Sequence, residues 1–175
     1  MENILEIQKK AFLKEGPPSL EQRTDLLKRC VALIETYQDK IIDALNQDFQ
    51  NRSVDEIKIS EIDQTIRNIL FTIKKLNKWM QPQRRFSSLG TDLIGAKSFL
   101  QPSPLGTVGI IAPWNFPVGL IFYPLASIFA AGNRAMVKPS EVTPATANII
   151  KESVEKYFAY FKFLAIRSKP VVPLS

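Results

Sequence analysis

Two hydrophobic rhythms divide the chain. Up to about Met80, apolar residues recur every three or four positions; beyond Pro104 they gather into short unbroken runs. Ile4, Ile7, Phe12 and Leu13 form a leading helical segment that stops at Pro17-Pro18, and Ser19 or Leu20 opens the next. Leu26, Leu27, Cys30, Val31, Leu33, Ile34, Tyr37, Ile41, Ile42 and Leu45 then make one wide apolar face. A third helix is expected from about Val54 to Trp79. Ile59, Ile62, Ile66, Ile69, Ile73 and Leu76 form its buried stripe, while Lys58, Glu61, Arg67, Lys74 and Lys78 take the other face. It ends before Gln81-Pro82, with Arg84-Arg85 in a following loop.

From Phe86 to Pro104, short segments punctuated by Gly90, Gly95, Pro102 and Pro104 predict a hairpin or two extended strands. Thr107 to Ala112 reads as a parallel strand buried on both faces. Val118 to Ala131 reads as a helix that Gly132 terminates, and Ala135-Met136-Val137 as a second buried strand. Strand, helix, strand in this order is a βαβ unit with a right-handed crossover. Thr143 and Pro144 offer an N-cap and a first-turn proline for one more helix, through about Tyr157. The expected organisation is α/β, with a helical layer over 3–80, a hairpin over 86–104, a βαβα unit over 106–158 and a tail over 159–175.

Composition narrows the function classes. The chain has 175 residues, 45% of them apolar, enough for one domain with a core. Of 23 lysines and arginines, Lys162, Arg167 and Lys169 lie in the acid-free tail, which brings the rest near balance with 17 acids. No nucleic-acid partner is therefore expected. Cys30 is the only cysteine and falls in the apolar stripe, so it reads as a core residue; there is no histidine, and no metal site is expected. Met1-Glu2-Asn3-Ile4 lacks a signal peptide's basic start. The apolar run from Phe116 to Gly132 is broken by Pro117 and Pro124 and is shorter than the ~20 residues of a membrane helix. These features predict a cytoplasmic protein that does not enter a membrane.

The candidate chemistry lies at the carboxyl ends of the two predicted strands, where open α/β sheets bind ligands. Pro113-Trp114-Asn115-Phe116-Pro117 is a turn bracketed by prolines, and a rigid turn can aim the Asn115 amide at one place, as an oxyanion site requires. An asparagine capping its own loop explains the same residue. Lys138-Pro139-Ser140-Glu141 follows the second strand. Lys138 and Glu141 form either a solvated ion pair or a donor and acceptor for vicinal ribose hydroxyls.

Taken together, Pro104-Leu105-Gly106, Ile111 to Pro117, Ala130-Ala131-Gly132-Asn133, Val137 to Glu141 and Thr143-Pro144 resemble the aldehyde dehydrogenase superfamily in order and spacing. The resemblance covers roughly residues 5–158 and is strongest to the class-3 branch that includes coniferyl aldehyde dehydrogenases. It implies the aldehyde dehydrogenase fold: N-terminal helices and the first βαβ part of a Rossmann-like NAD(P)-binding domain, here incomplete. It further implies NAD(P)-dependent oxidation of an aldehyde, with a coniferyl-type aldehyde as the candidate substrate, to the acid, in a homo-oligomer when full-length. Asn115 matches the amide that holds the aldehyde oxygen as it becomes an alkoxide. Lys138 and Glu141 match the pair that binds the adenosine ribose, and Ile111, Pro113 and Trp114 match residues lining the cofactor cleft. Like the family, the chain has no G-x-G-x-x-G fingerprint.

The family's nucleophilic cysteine and general-base glutamate lie beyond the matched region, as do a further strand and the helix start that receives the pyrophosphate. The resemblance therefore implies an inactive truncated fragment that is not expected to hold the cofactor by itself, with a non-catalytic partner or inhibitor of a full-length homologue as the alternative. After Phe158 the similarity stops. Residues 159–175 read as the product of a frameshift or early stop, or else as an interaction segment. Without the rest of the family's fold, a parallel strand edge and the apolar sheet faces that later helices would cover are expected to be exposed and to favour aggregation.

Overall fold

The computed structural model describes residues 2–86, 95–158 and 164–166. Helix α1 (Glu2–Glu15) ends at Gly16, whose φ of 71° suits glycine, and Pro17 blocks continuation. Helix α2 (Leu20–Thr36) opens with a reciprocal cap in which Gln22 N–H donates to the Ser19 hydroxyl and Ser19 N–H donates to the Gln22 side chain. Helix α3 (Gln38–Phe49) follows after a single residue, Tyr37, at φ −98° and ψ 9°. The continuous face expected over Leu26–Leu45 is therefore carried by two helices. The break lets α2 and α3 serve different neighbours: α2 packs on α5 (Gln64–Met80), and α3 packs on α7 (Pro144–Tyr157).

The expected helix from Val54 is also interrupted. A short α4 (Val54–Ile57) runs into a π-helical segment (Lys58–Asp63), which passes into α5. A π turn accommodates an extra residue, so the buried Ile57 and Ile62 stand five positions apart. Two expectations fail here. Ile59 is exposed, and Glu61, assigned to the solvated face, is completely buried.

Strands β1 (Gln83–Arg85) and β2 (Ser98–Leu100) pair antiparallel, with Gln83 opposite Leu100. Arg84 and Arg85 are thus strand residues and not loop residues. Their strand is exposed throughout and offers no polar and apolar alternation. Within the expected hairpin 86–104, residues 87–94 lie outside those described.

Strands β3 (Thr107–Ile111), β4 (Arg134–Lys138) and β5 (Leu164–Ile166) form a parallel sheet in that order. Helix α6 (Gly119–Ala130) connects β3 to β4, and α7 follows β4. Contrary to expectation, β3 is not buried on both faces: Ile110 is buried, while Gly109 and Ile111 are exposed. One face of this strand, at the border of the described sheet, has no cover. Strand β4 is central, with Ala135, Met136 and Val137 paired to Leu164, Ala165 and Ile166. Of the tail 159–175, only these three paired residues are described.

The core lies between the helical layer and the sheet, where Leu27, Leu33, Ile34 and Leu45 meet Ile121, Phe122, Leu125 and Phe129. Cys30 is part of it. Gly132, at φ 83°, ends α6 as expected, and Asn133 Oδ1 then accepts from Leu105 N–H at 2.6 Å and Gly106 N–H at 2.9 Å. That tie brings the start of β4 against the start of β3. Buried Arg134 donates to Gln8 at 3.0 Å and Glu15 at 2.5 Å, anchoring α1 at the same end of the sheet. The opposite end, where the strands finish, remains accessible.

Candidate functional site

Parallel pairing sets the site's frame. Ile111 stands opposite Lys138 in the register, and the Ala112 N–H donates to the Lys138 carbonyl at 3.0 Å, so β3 and β4 end side by side. The chain then leaves β3 through Pro113-Trp114-Asn115-Phe116-Pro117 and leaves β4 through Pro139-Ser140-Glu141. The structure thus puts Ile111, Pro113, Trp114, Asn115, Lys138 and Glu141 at one end of one sheet.

Two groupings differ in character. Lys138 Nζ donates to the Glu141 carboxylate, and the lysine beside it holds the Glu141 carboxyl below its ordinary value of 4.5. The Lys138 side chain is largely sequestered and the Glu141 side chain is open to solvent. Ile111, 80% exposed, Val142 and Trp114 present apolar surface at the same end of the sheet. A charged pair able to offer both a donor and an acceptor, flanked by bare apolar surface, has the chemistry an adenosine moiety requires. Asn115 is exposed, and no hydrogen bond joins it to the Lys138–Glu141 pair among the described residues. Its carbonyl accepts from Arg52 at 3.4 Å, and the Trp114 ring packs 6.2 Å from the Phe49 ring.

Three residues that organise this end of the molecule carried no role in the sequence analysis. Helix α6 begins at Gly119 with apolar Val118 in the capping position, and no side chain of its own caps it. Glu61, from the π-helical segment, takes over: its Oε2 accepts from Val118 N–H at 3.1 Å and Gly119 N–H at 2.8 Å. Arg52 Nη1 donates to Glu61 Oε1 at 2.8 Å. Burial pushes the Glu61 carboxyl upward, and the Gly119 amide and Arg52 pull it back. Hydrogen bonding to Glu56 is the main influence raising the Arg52 guanidinium.

The third such residue is Asp48. Thr143 holds the N-cap position of α7, as expected, but its side chain caps nothing. Asp48 does so from α3, accepting from Ala145 N–H at 3.0 Å, Thr146 N–H at 2.8 Å and the Thr146 hydroxyl at 2.7 Å. Both helices flanking the site therefore receive carboxylate caps from the helical layer. The detectable signals are small: an apolar residue at the start of α6, and a five-residue step from Ile57 to Ile62.

Cys30 lies elsewhere. It is buried in α2, and burial raises its thiol strongly, so it is a poor thiolate source. Among the described residues, no group of three or more His, Cys, Asp or Glu is placed to hold a metal ion. Nor is any described helix long and apolar enough to cross a membrane.

Comparison with known proteins gives one consistent answer. The pattern of the aldehyde dehydrogenase family matches residues 1–158. A probable coniferyl aldehyde dehydrogenase of Caulobacter vibrioides is 45% identical over 161 residues, covering 90% of this chain and 33% of that protein. The coniferyl aldehyde dehydrogenase of Pseudomonas sp. strain HR199 is 41% identical over 156 residues, covering 89% of this chain and 32% of that protein. Among solved structures, the substrate-bound state of Staphylococcus aureus AldH superposes with a TM-score of 0.89 at 31% identity, covering 97% of this chain and 36% of that one. The chain spans about a third of the length of the curated relatives it matches.

Proposed function

Given that the chain belongs to the aldehyde dehydrogenase family, we propose that it forms the oxyanion-donor and adenosine-ribose portion of an NAD(P)-dependent enzyme that oxidises a coniferyl-type aldehyde. The observation that carries this reading is the placement of Asn115 in a proline-bracketed turn beside strand ends that also bear the Lys138–Glu141 pair. The coniferyl assignment follows the named activity of the relatives at 45% and 41% identity.

On this reading, the Asn115 amide donates to the aldehyde oxygen as negative charge develops there, a stabilisation strongest in the transition state. Lys138 donates to, and Glu141 accepts from, the ribose hydroxyls. Ile111, Pro113 and Trp114 form the apolar wall that excludes water from the adenosine side. When bound, NAD(P) supplies the hydride acceptor. Residues 1–175 contain a single cysteine, Cys30, sealed in the core, so they do not furnish the thiol that the family's reaction uses.

The test is a chimaera in which residues 1–158 replace the matching third of the Caulobacter vibrioides relative. Coniferyl aldehyde should drive NAD(P)H formation. Asn115→Ala should lower kcat by roughly a hundredfold or more, the scale for loss of one oxyanion donor. Lys138→Ala and Glu141→Gln should raise the KM for cofactor while sparing kcat at saturation. Unchanged kcat in Asn115→Ala removes the oxyanion assignment. The 175-residue chain alone should show no turnover, with or without Cys30→Ser.

A further inference from the structure

We propose that Arg52 and Glu61 are positioning residues that clamp the Asn115 turn from the helical layer and so hold its amide where charge develops. This rests on the reading of Asn115 as the oxyanion donor. The clamp grips the turn at successive points. Arg52 reaches the Asn115 carbonyl at 3.4 Å, its guanidinium lies 4.9 Å from the centre of the Phe116 ring, and Glu61 holds the Val118 and Gly119 amides just past Pro117. Every residue from Asn115 to Gly119 except Pro117 is therefore touched by the pair. Pro117 has no N–H to hold, and its φ is already restricted by its own ring.

The pair is itself held. The Arg52 side chain is 8% exposed and that of Glu61 0%. Arg52 lies between the Phe49 ring at 5.1 Å and the Phe116 ring, while Glu56 receives Nε at 2.9 Å and Nη2 at 2.8 Å. A planar fork with three nitrogens engaged has little freedom to rotate, which a lysine ammonium cannot reproduce. Glu61 lies within the π-helical segment, four positions from buried Ile57 on one side and four from buried Thr65 on the other, and so faces the core. π turns inside helices recur at functional sites. Capping α6 accounts for the Glu61 carboxylate, but it does not call for buried Arg52, which ties that carboxylate to the Asn115 carbonyl. A fixed turn beside the strand ends gives the pair a reason to be there.

The experiment measures backbone and side-chain amide dynamics by NMR in the 175-residue chain. Arg52→Lys keeps the cation without the fork, and the double variant Arg52→Met with Glu61→Gln leaves no unpaired buried charge, so at least one should fold. Two changes are expected: hydrogen exchange at Val118 and Gly119 rises at least about tenfold while Leu33 and Leu45 hold their protection, and the Asn115 side-chain amide gains mobility. If exchange at Leu33 and Leu45 rises in step, the pair is a global stabiliser and the proposal falls. It falls equally if a folded variant leaves Val118, Gly119 and Asn115 unchanged. In the chimaera, Arg52→Lys should lower kcat with little change in KM, and should cost nothing further on an Asn115→Ala background. Full additivity of the two losses overturns the clamp. Unchanged kcat in Asn115→Ala alone instead removes the oxyanion reading, and the dynamics still decide whether the clamp exists.

Discussion

Removing the Asp48 carboxylate should loosen α7 and lower stability by an amount that the geometry sets. In Asp48→Ala, three donors lose their acceptor: Ala145 N–H, Thr146 N–H and the Thr146 hydroxyl. Ala145 is partly exposed, and water can replace its bond. Thr146 is completely buried, so its two donors stay unpaired. With about 1–3 kcal/mol for each stranded buried group, partly offset by water entering the space the carboxylate leaves, the loss should be about 3 kcal/mol. For a domain of this size, that lowers Tm by roughly 6–12 °C, at about 2–4 °C per kcal/mol. Asp48→Asn keeps an acceptor oxygen and should lose about half as much. Thermal unfolding followed by circular dichroism gives the shift, and amide exchange at Ala145 and Thr146 locates it. A Tm within about 1 °C of the parent for Asp48→Ala, or unaltered exchange at both amides, refutes the cap and the reasoning built on it.

Three further outcomes follow from the packing and charge. Cys30 should resist Ellman's reagent in the folded chain and react once in urea, because burial both blocks it and raises its thiol; rapid labelling of folded protein would place it at an accessible site. Gly132→Ala should cost about 3 kcal/mol in urea unfolding, since it combines a φ of 83° with a β-carbon 2.6 Å from the Arg23 guanidinium, which is tied to the Pro18 and Ala130 carbonyls; an unchanged midpoint contradicts this. In a carbon-detected NMR titration, Glu141 should ionise with a midpoint below 4.5, and Lys138→Ala should return it toward that value. Because the folded carboxyl is the stronger acid, the pair's small stabilisation is present above the unfolded value and is lost only as pH falls through the lowered folded one. A Glu141 midpoint at or above 4.5 in the parent shows that the pair does not form in solution.

Legibility in the sequence tracked how local the physics was. Leu26 through Leu45 announced helix by spacing, and Gly132 announced a helix end, because a single turn of chain decides both. The break at Tyr37 escaped notice, since the apolar spacing continues across it. The error at Ile59 and Glu61 arose because an apolar stripe has no place for buried polar side chains: Ile57, Glu61 and Thr65, spaced by four, are buried, while Ile59 is exposed. Thr143 looked like a cap by residue type, yet a carboxylate 98 positions from Thr146 does the capping. The placement of Asn115, Lys138 and Glu141 at the strand ends was legible through the predicted strands. Arg52, Glu61 and Asp48 were not, since what they do depends on contacts across the fold that no local pattern encodes.

The two carboxylate caps also bear on how such chains can be recombined. Glu61 serves amides 57 and 58 positions downstream, Asp48 serves amides 97 and 98 downstream, and Arg23 reaches a carbonyl 107 away. A crossover between homologues placed anywhere in the β1–β2 region separates every one of these donors from its acceptor's parent. Shuffled libraries should therefore tolerate junctions near residue 158 far better than junctions near residue 102, even though the latter falls between secondary-structure layers and looks like the natural place to cut.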